Sequence, residues 1–520
     1  MLKPQPASDN FLSADQMAPG LFSPESFALQ AKKVADTLFS DERWADMYSD
    51  EGRPARSPKV MTLALILQQH RNLSDRQMEH ATRFDLEIKA ALGLPWDHPG
   101  IPKSAYGEFR KRLMQYGREC EAFNVLNQTL VENGWVKKDE AVIVDACHLE
   151  ADASTPNPRL LIRKGTRRVL KDLEKERPEL YEDLKGKITL RADTDFGGGR
   201  DYYLLPEAER QERFGKSVRE ARIVIEALKD KKLSKALKAE LKLLAVILDE
   251  RSTDDDEPID PDDAPKGRVT SHHDPDARWG AKGKDKFFHG YKRTILTSRD
   301  NGLIVNVDVA PGNSTDGSVL GPLLEDSKTT FGLEPAKVIG DSAYGSLENH
   351  RTCNEHGSQL VTPLKPAPNP RGKFSRDRFT YDVEAKTLTC PANETTHEAF
   401  TSPDGEGLVF RFALHQCGKC PLRSECTTGD FRSVKVAATV PDLAPVLDYG
   451  KTDDYKADMK ARPVIEGKHS EIVRRHGGRR TRYVGLAKVF AGEVLRCLTV
   501  NLKRLFKLEA KQRVMEAVLV

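Results

Sequence analysis

Two short apolar runs, each closed by an aspartate, constrain the fold of this chain more than any other feature. Residues 141–145 read AVIVD and residues 337–341 read KVIGD. Apolar, β-branched runs of this length are typical of strands buried at the centre of a sheet. A carboxylate at the end of such a strand stands on a rigid support, where a reaction site can be built. The pattern predicts that Asp145 and Asp341 lie at one sheet edge. The alternative is that each is an ordinary turn or capping residue.

The runs around these two segments predict the rest of the sheet. Residues 291–297 and 303–309 are strand-like runs that flank Asp-Asn-Gly at 300–302. This combination is a strong hairpin signal. A helix is expected at about 318–327 and a further strand at 359–363. The order strand, hairpin, helix, strand, helix, strand predicts an α/β core, in the form of an α+β mixed sheet flanked by helices.

The N-terminal part reads as short helices. Ser57 and Pro58 open one helix, Ser74 with Gln77 forms a capping box for a second, and a third runs from about Asp85 to Gly93. Ser104 is expected to cap a fourth. A helix-turn-helix-like DNA binder and a helical dimerisation bundle fit this spacing equally well.

Composition shifts divide the chain into segments. Leucines recurring between 228 and 248 indicate an amphipathic helical hairpin within a charged insertion, which an acidic stretch closes at 249–266. We expect a flexible tail at 1–20, a helical N-terminal DNA-binding or dimerisation domain at 21–135, the sheet core at 136–160 and 267–364, a charged helical insertion with its acidic linker at 161–266, a cysteine-cluster insertion at 365–450, and C-terminal helices at 451–520.

Charge is distributed unevenly along the chain. The net charge is only +3, yet residues 462–482 carry seven Lys or Arg against two acids. This cluster predicts contacts to DNA phosphates. Its members are Arg462, Lys468, Arg474, Arg475, Arg479, Arg480 and Arg482. There is no apolar run of the roughly 18 residues that a membrane span needs, no secretory signal pattern and no Walker-type loop. We therefore expect a cytoplasmic protein without a membrane segment or a nucleotide cofactor.

A third acid, Glu466, lies inside this basic cluster, in the first turns of a helix that Pro463 opens. Cleavage of a phosphodiester needs an activated nucleophile and neutralisation of charge at phosphorus, which two metal ions about 4 Å apart provide. Mg²⁺ prefers carboxylate oxygens, and Mn²⁺ can replace it. Asp145, Asp341 and Glu466 are therefore the predicted catalytic metal ligands. The alternative for Glu466 is a surface ion pair.

Four of the eight cysteines are clustered: Cys390, Cys417, Cys420 and Cys426. The Cys-Gly-Lys-Cys knuckle at 417–420 can place two sulfurs on one tetrahedral ion, which predicts a structural Zn²⁺. Free buried thiols and a redox role are the alternatives, since the outer spacings are irregular for a zinc ribbon.

Acids and histidines elsewhere favour structural roles. Asp274 and Asp276 fit a cap and turn better than a DNA contact, and His289 with Tyr291 fits strand packing better than chemistry. His272 and His273 could pair on a metal, but nothing nearby completes the site.

Several segments also resemble a known family. The blocks VIVDACHLEA at 142–151, DPDARWGAKGK at 274–284, FFHGYK at 287–292, VAPGNSTDG at 309–317 and VIGDSAYGS at 338–346 are similar to the DDE transposases of bacterial insertion sequences. So are RPVIEGKHSEIVRRHGGRRTRYVGLAKV at 462–489, NLKRL at 501–505 and the helical segment that begins SPKVMTLALILQQH at 57. The resemblance covers most of the chain, and VIGDSAYGS and RPVIEG are its most specific parts.

The resemblance implies an RNase H-like catalytic core, two Mg²⁺ ions, a homodimer, and cut-and-paste chemistry at terminal inverted repeats in the bacterial nucleoid. Asp145, Asp341 and Glu466 match the three catalytic carboxylates by position. The family's helix often carries Tyr, Arg, Glu and Lys at fixed spacing. Here Arg462 and Glu466 fit, while Met459 and Val473 stand at the Tyr and Lys positions, so Arg474 or Arg475 is expected to replace the Lys.

Two other functions are compatible with the same residues. A metal-dependent DNA nuclease would cleave without joining strands. A catalytically silent, transposase-derived DNA-binding protein would keep the basic cluster but could lose an acid, and all three acids are present.

Overall fold

The computed structural model describes Leu2 and residues 20–52, 54–191, 202–260, 262–283, 285–363, 372–438 and 440–519. The tail expected at 1–20 lies outside the described residues apart from Leu2 and Gly20. Parts of both insertions, at 192–201 and 364–371, lie outside them as well.

Helices fill the chain ahead of the first strand, as expected. Their bounds are α1 (Phe27–Leu38), α2 (Pro58–His70), α3 (Asp75–Phe84), α4 (Leu86–Leu92), α5 (Lys103–Gln115) and α6 (Glu121–Glu132). The capping box of Ser74 and Gln77 is confirmed at α3, and α4 ends at Gly93 with φ of 63°. The cap expected at Ser104 is wrong. Helix α5 starts at Lys103 after Pro102, whose extended backbone (ψ 144°) already sets the entry into the helix.

A mixed sheet follows, in the spatial order β2-β3-β1-β5-β6 with β4 paired to β3. Its strands are β1 (Val142–Glu150), β2 (Arg278–Ala281), β3 (Phe287–Ser298), β4 (Ile304–Pro311), β5 (Lys337–Ile339) and β6 (Gln359–Val361). The hairpin β3–β4 is confirmed, with Gly302 at φ 62° in its turn. The strand β2 was not predicted. Strand β1 does not end at Asp145, because its antiparallel pairing with β3 continues as far as Glu150.

Helices α11 (Leu320–Phe331) and α12 (Leu347–Glu355) connect the later strands, and α15 (Val440–Tyr449), α16 (Asp453–Met459), α17 (Pro463–Arg475) and α18 (Leu486–Leu519) end the chain. One hydrophobic cluster runs through the N-terminal helices, the central strands, α17 and α18. The N-terminal helices therefore share a core with the sheet. This arrangement confirms the α/β class, a mixed sheet covered by helices as in an RNase H-like core.

The helical insertion has a core of its own. It contains α7 (Pro158–Glu176), α8 (Pro178–Lys185), α9 (Glu207–Leu228) and α10 (Lys235–Asp249). The predicted leucine stripe is buried at Leu228, Leu233, Leu237, Leu244 and Leu248. The predicted hairpin corresponds to α9 and α10, and α7 packs against both.

The cysteine insertion holds two small antiparallel sheets. One is formed by β7 (Thr380–Asp382), β8 (Thr387–Thr389) and β9 (Thr395–Thr396), the other by β10 (Ala399–Thr401), β11 (Gly407–Arg411) and β12 (Ser433–Ala437). Short helices α13 (Leu414–Gly418) and α14 (Arg423–Cys426) carry two of the four clustered cysteines, and Cys420 lies between them. Across the described residues, no helix has the length and apolar character to cross a membrane.

Candidate active site

Asp145 and Asp341 each follow one of the directly paired residues Ile143 and Ile339 on neighbouring strands. Strands β1 and β5 are parallel, with Ile143 opposite Ile339, and each aspartate lies two residues beyond its isoleucine. Side chains two residues apart share a face, and adjacent strands are about 4.8 Å apart. Asp341 lies just past the end of β5, and its carboxylate is close enough to Asp145 to contribute to the raised pKa of that side chain.

Each carboxylate has one oxygen held by the backbone. Asp145 Oδ1 accepts a hydrogen bond from the backbone N–H of Ala146 at 2.9 Å. Asp341 Oδ1 accepts one from the backbone N–H of Ala343 at 2.8 Å. These bonds orient both side chains and leave a second oxygen of each without such a bond.

The electrostatics confirm that acids crowd this point. Burial raises the pKa of Asp145 to about 6, and the negative charges of Asp341 and Asp316 add to the effect. Arg462 opposes it. Asp316 was not singled out from the sequence. Asp316 begins a short 3-10 turn that follows β4, and its Oδ1 accepts a hydrogen bond from Lys292 Nζ at 2.6 Å. The site thus carries excess negative charge.

Glu466 is near the start of α17 and has a cationic partner. Its side chain is 59% exposed, and its Oε1 is 3.8 Å from Arg462 Nη2. Arg462, Glu466 and His469 share one side of α17, since residues three or four apart in a helix are neighbours. Within the ranges described above, no three His, Cys, Asp or Glu side chains are arranged to hold a metal ion as they stand. The charge of Asp341 acts on Asp145, whereas the charged partner of Glu466 is Arg462.

Behind Asp145 lies a buried polar chain that sequence reasoning missed. His469 Nε2 is 3.7 Å from Asp145 Oδ2, and His469 Nδ1 is 3.2 Å from Arg293 Nη2. Arg293 in turn donates to Glu493 at 2.8 Å. Burial and the charge of Arg293 lower the pKa of His469 to about 3, so this histidine is neutral.

The seven basic residues are in different environments. Arg474 and Arg475 are exposed at the end of α17, with no hydrogen-bond or ion-pair partner in the described part of the chain. Arg480 is exposed but pairs with Glu150 at 3.1 Å. Arg462 pairs with Glu466.

The remaining three contact other groups of the protein. Lys468 is buried, lies 3.7 Å from Glu471 Oε2, and has a pKa lowered to about 8, chiefly by burial. Arg479 packs against the His148 ring, with Nη1 2.6 Å from Nε2. Arg482 donates to the carbonyl oxygens of Asn72 and Leu73 in the N-terminal helical region. Because the ammonium of Lys468 lies beside Glu471 and its side chain is largely buried, its contact with a DNA phosphate stays a prediction.

The four clustered cysteines line one small cavity of about 20 Å³. All are partly buried and none forms a disulfide. Each of the other three sulfurs raises the pKa of Cys426, after the larger effect of burial. The cluster expected from the sequence therefore exists as a spatial group.

The acids and histidines for which the sequence favoured structural roles make contacts within the protein. Asp274 is buried and accepts hydrogen bonds from the Tyr291 hydroxyl and the Gly485 backbone N–H. Asp276 accepts from the backbone N–H of Leu486, the first residue of α18. His289 and Tyr291 are buried on β3. His272 is buried, with its Nδ1 3.7 Å from Glu240 Oε2, and among the residues described it is not part of a group of three metal-binding side chains.

Two family models match the chain. The model described as "Transposase DDE domain" matches residues 263–502, and "Transposase domain (DUF772)" matches residues 19–112. No curated protein and no solved structure matches the chain. Asp341 and Glu466 fall within the first range, whereas Asp145 precedes it and is connected to it by the pairing of β1 with β5. The two matched ranges cover more than half of the chain, which thus belongs to the DDE transposases, enzymes that cleave and transfer DNA strands.

Proposed function

We propose that this protein performs Mg²⁺-dependent strand cleavage and strand transfer at the inverted-repeat ends of an insertion sequence, with Asp145, Asp341 and Glu466 as the metal-binding carboxylates. One observation carries the proposal. Asp145 and Asp341 stand two residues beyond a directly paired Ile143 and Ile339 on adjacent parallel strands. Two acids that are far apart in sequence are thereby brought close to each other near the carboxyl end of β5.

The donor set at this point suits a hard divalent cation. It consists of carboxylate oxygens, which Mg²⁺ prefers over nitrogen or sulfur. Burial, together with the smaller effects of Asp341 and Asp316, raises the pKa of Asp145, so ionising this carboxylate is unfavourable without a cation beside it. A bound metal ion would supply that positive charge.

Glu466 can join the two aspartates at small energetic cost. Its exposed, 3.8 Å contact with Arg462 is of a kind that contributes about 0–1 kcal/mol. Breaking this contact by a rotation of the Glu466 side chain therefore costs little free energy. We propose that Glu466 turns towards Asp145 and Asp341 when the metal and the DNA end bind.

The bound ions would polarise the scissile phosphate and activate the attacking water or 3′-hydroxyl. The chain's own residues position the reactants. The backbone N–H groups of Ala146 and Ala343 each fix one carboxylate oxygen of Asp145 and Asp341, near the carboxyl end of β5. Arg474 and Arg475, exposed at the end of the helix that carries Glu466, are placed to contact phosphates of the DNA end.

We also propose a homodimer, because strand transfer requires two element ends to be held together. Light scattering of the protein with and without DNA measures this directly. A stable monomer bound to two ends would contradict it.

The experiment uses a supercoiled plasmid carrying this gene with its flanking DNA. With Mg²⁺, the wild-type protein should release the element and join it to a target plasmid. Asp145→Asn, Asp341→Asn and Glu466→Gln should each reduce the cleavage rate by about 100-fold or more while still binding DNA. Asp255→Asn, an exposed acid of the helical insertion, is the matched control and should be unaffected.

The alternatives give different results in the same assay. Cleavage that never yields joined product would indicate a nuclease. DNA binding without any cleavage would indicate a silent DNA-binding protein. Retained Mg²⁺-dependent cleavage in Asp341→Asn would remove that residue from the site.

We propose in addition that Cys390, Cys417, Cys420 and Cys426 bind a structural Zn²⁺. The insertion that carries them has a core of only a few buried apolar side chains, namely Phe379, Leu388, Phe410, Phe412, Val434 and Val436. So small a core rarely holds a fold without a disulfide or a metal, and these thiols are free. Their sulfurs would have to close in on the ion, because no three of these described residues lie in ligating positions as they stand.

Elemental analysis of protein purified without added metal tests this second proposal. We expect one zinc per chain, reduced below one half in Cys417→Ser and unchanged in the control Cys120→Ser. Full-length protein without zinc would contradict it.

A further inference from the structure

Three buried side chains from three separate elements form a series of polar contacts that leads to Asp145. Glu493 comes from α18, Arg293 from β3 and His469 from α17. Arg293 and Glu493 have side-chain exposures of 0% and 1%. His469 is also buried, with 9% of its side chain exposed. Such a network is well ordered only when its donors and acceptors match.

The contact between Arg293 and His469 determines which ring nitrogen of His469 carries the proton. A guanidinium group can only donate hydrogen bonds, and Arg293 Nη2 faces His469 Nδ1 at 3.2 Å. Nδ1 must therefore be the bare, accepting nitrogen. The ring proton of the neutral histidine is then on Nε2.

That Nε2–H has no hydrogen-bond partner among the described residues as they stand. A buried donor without an acceptor costs about 1–3 kcal/mol. Asp145 presents two acceptors to this ring, its backbone carbonyl oxygen and its Oδ2 at 3.7 Å, and neither makes a complete hydrogen bond with Nε2. Of the two, only Oδ2 belongs to the carboxylate that would bind a metal. Asp145 Oδ1 is already held by the N–H of Ala146.

We propose that His469 is a positioning residue for Asp145: Arg293 holds its Nε2–H against Asp145 Oδ2, and this bond closes when the carboxylate takes its metal-bound orientation. The inference rests on the proposed function, because it assigns Asp145 a ligand role. It extends that function by a side chain that touches neither metal nor DNA. Partners of this kind commonly contribute about 10–100-fold to metal affinity.

A second histidine provides an internal comparison. His476 follows the same helix and is equally buried, with 1% of its surface exposed. Its Nε2 is 3.3 Å from Lys503 Nζ, a donor, and its Nδ1 is 3.0 Å from the Gln69 carbonyl oxygen. His476 therefore carries its proton on Nδ1, the opposite tautomer, with both nitrogens satisfied within the protein.

The first measurement needs no catalysis. Nitrogen-15 spectra of histidine-labelled full-length protein in chelator should show His469 protonated at Nε2 and His476 protonated at Nδ1. The two signals are identified by their loss in His469→Gln and His476→Gln. A proton on Nδ1 of His469 would overturn the inference whatever the enzyme does.

The second measurement is the Mg²⁺ concentration for half-maximal plasmid cleavage. It should rise about 10-fold or more in His469→Phe, recover to within about threefold in His469→Gln, whose amide keeps a donor, and stay unchanged in His476→Gln. Melting temperatures in chelator show whether each variant folds. If His469→Phe does not fold, the nitrogen-15 spectra and the Mg²⁺ requirement of His469→Gln still test the inference. An unchanged Mg²⁺ requirement in His469→Phe would refute the inference, whereas a wild-type protein that never cleaves would refute the proposed function.

Discussion

Arg293 on β3 and Glu493 on α18 form an ion pair that is almost completely closed to solvent, with Nη1 of one 2.8 Å from Oε2 of the other. Arg496 also donates to Glu493. Breaking a buried pair by removing one partner leaves an uncompensated charge. This contact fixes the long C-terminal helix to the strand that runs beside Asp145.

Glu493→Gln should therefore destabilise the protein by about 3–5 kcal/mol, because two guanidinium groups would remain buried around a neutral amide. Urea unfolding followed by circular dichroism measures the change. Glu516→Gln, at an exposed position of the same helix, is the control and should change stability by less than about 0.5 kcal/mol. Equal stability of the two variants would show that the pair does not hold the helix.

The raised pKa of Asp145, about 6, predicts a pH dependence of stability in chelator. The folded protein holds this proton more tightly than the unfolded chain, so the free energy of unfolding should fall as pH rises from about 4 to about 6 and then level off. The decrease is on the order of 3 kcal/mol, since one pKa unit corresponds to about 1.4 kcal/mol. Asp145→Asn should remove this step and be the more stable protein at pH 7. A variant less stable than wild type at pH 7 would contradict the prediction.

Arg474 and Arg475 should account for much of the salt-dependent DNA binding. Removing one cationic side chain that binds a phosphate reduces the slope of log affinity against log salt by about one. Replacing both residues with Ala should therefore reduce the slope by about two, as measured by fluorescence anisotropy on end-containing DNA. Lys468→Met is the comparison, because its buried ammonium pairs with Glu471. If Lys468→Met reduced the slope and the Arg pair did not, this assignment would be reversed.

Asn501 joins three parts of the fold and should be intolerant of truncation. Its amide donates to the Ile304 carbonyl oxygen at 2.7 Å and to Asn127 Oδ1 at 3.1 Å, and its own oxygen accepts from the Ile304 backbone N–H at 2.8 Å. Asn501→Ala leaves the Ile304 backbone N–H and Asn127 Oδ1 without this partner, at about 1–3 kcal/mol each, whereas the Ile304 carbonyl oxygen keeps a bond from Asn127 Nδ2 at 3.3 Å. Thermal unfolding should show a clear decrease in melting temperature, absent from the exposed control Asn354→Ala. An unchanged melting temperature would mean that other groups satisfy Ile304.

The sequence predicted local features well where the signal was local. The Asp-Asn-Gly turn, the capping box at Ser74 and the glycine stop at Gly93 follow from backbone preferences of a few residues, and all three are confirmed. Asp145 and Asp341 were identified because apolar runs precede them. Their closeness in space, and the continuation of β1 beyond Asp145, depend on pairing with distant strands and have no local signal.

The interactions that sequence reasoning missed are likewise long-range. Arg293 and Glu493 are 200 residues apart, and nothing near either one indicates the other. One signal was available, because Lys468 lies between Ile465 and Ile472 at helical spacing. These two isoleucines are buried on the inner face of α17, so helical periodicity would have placed Lys468 inside as well.

The central claim is that Asp145 and Asp341 share a divalent cation. Fe²⁺ bound in place of Mg²⁺, with ascorbate and peroxide, cuts a polypeptide backbone close to the ion. We expect protein fragments with ends near residues 145 and 341 together, both abolished by excess Mg²⁺ and by Asp341→Asn, as mapped by mass spectrometry. Cutting near only one of the two aspartates, or at neither, would contradict the account.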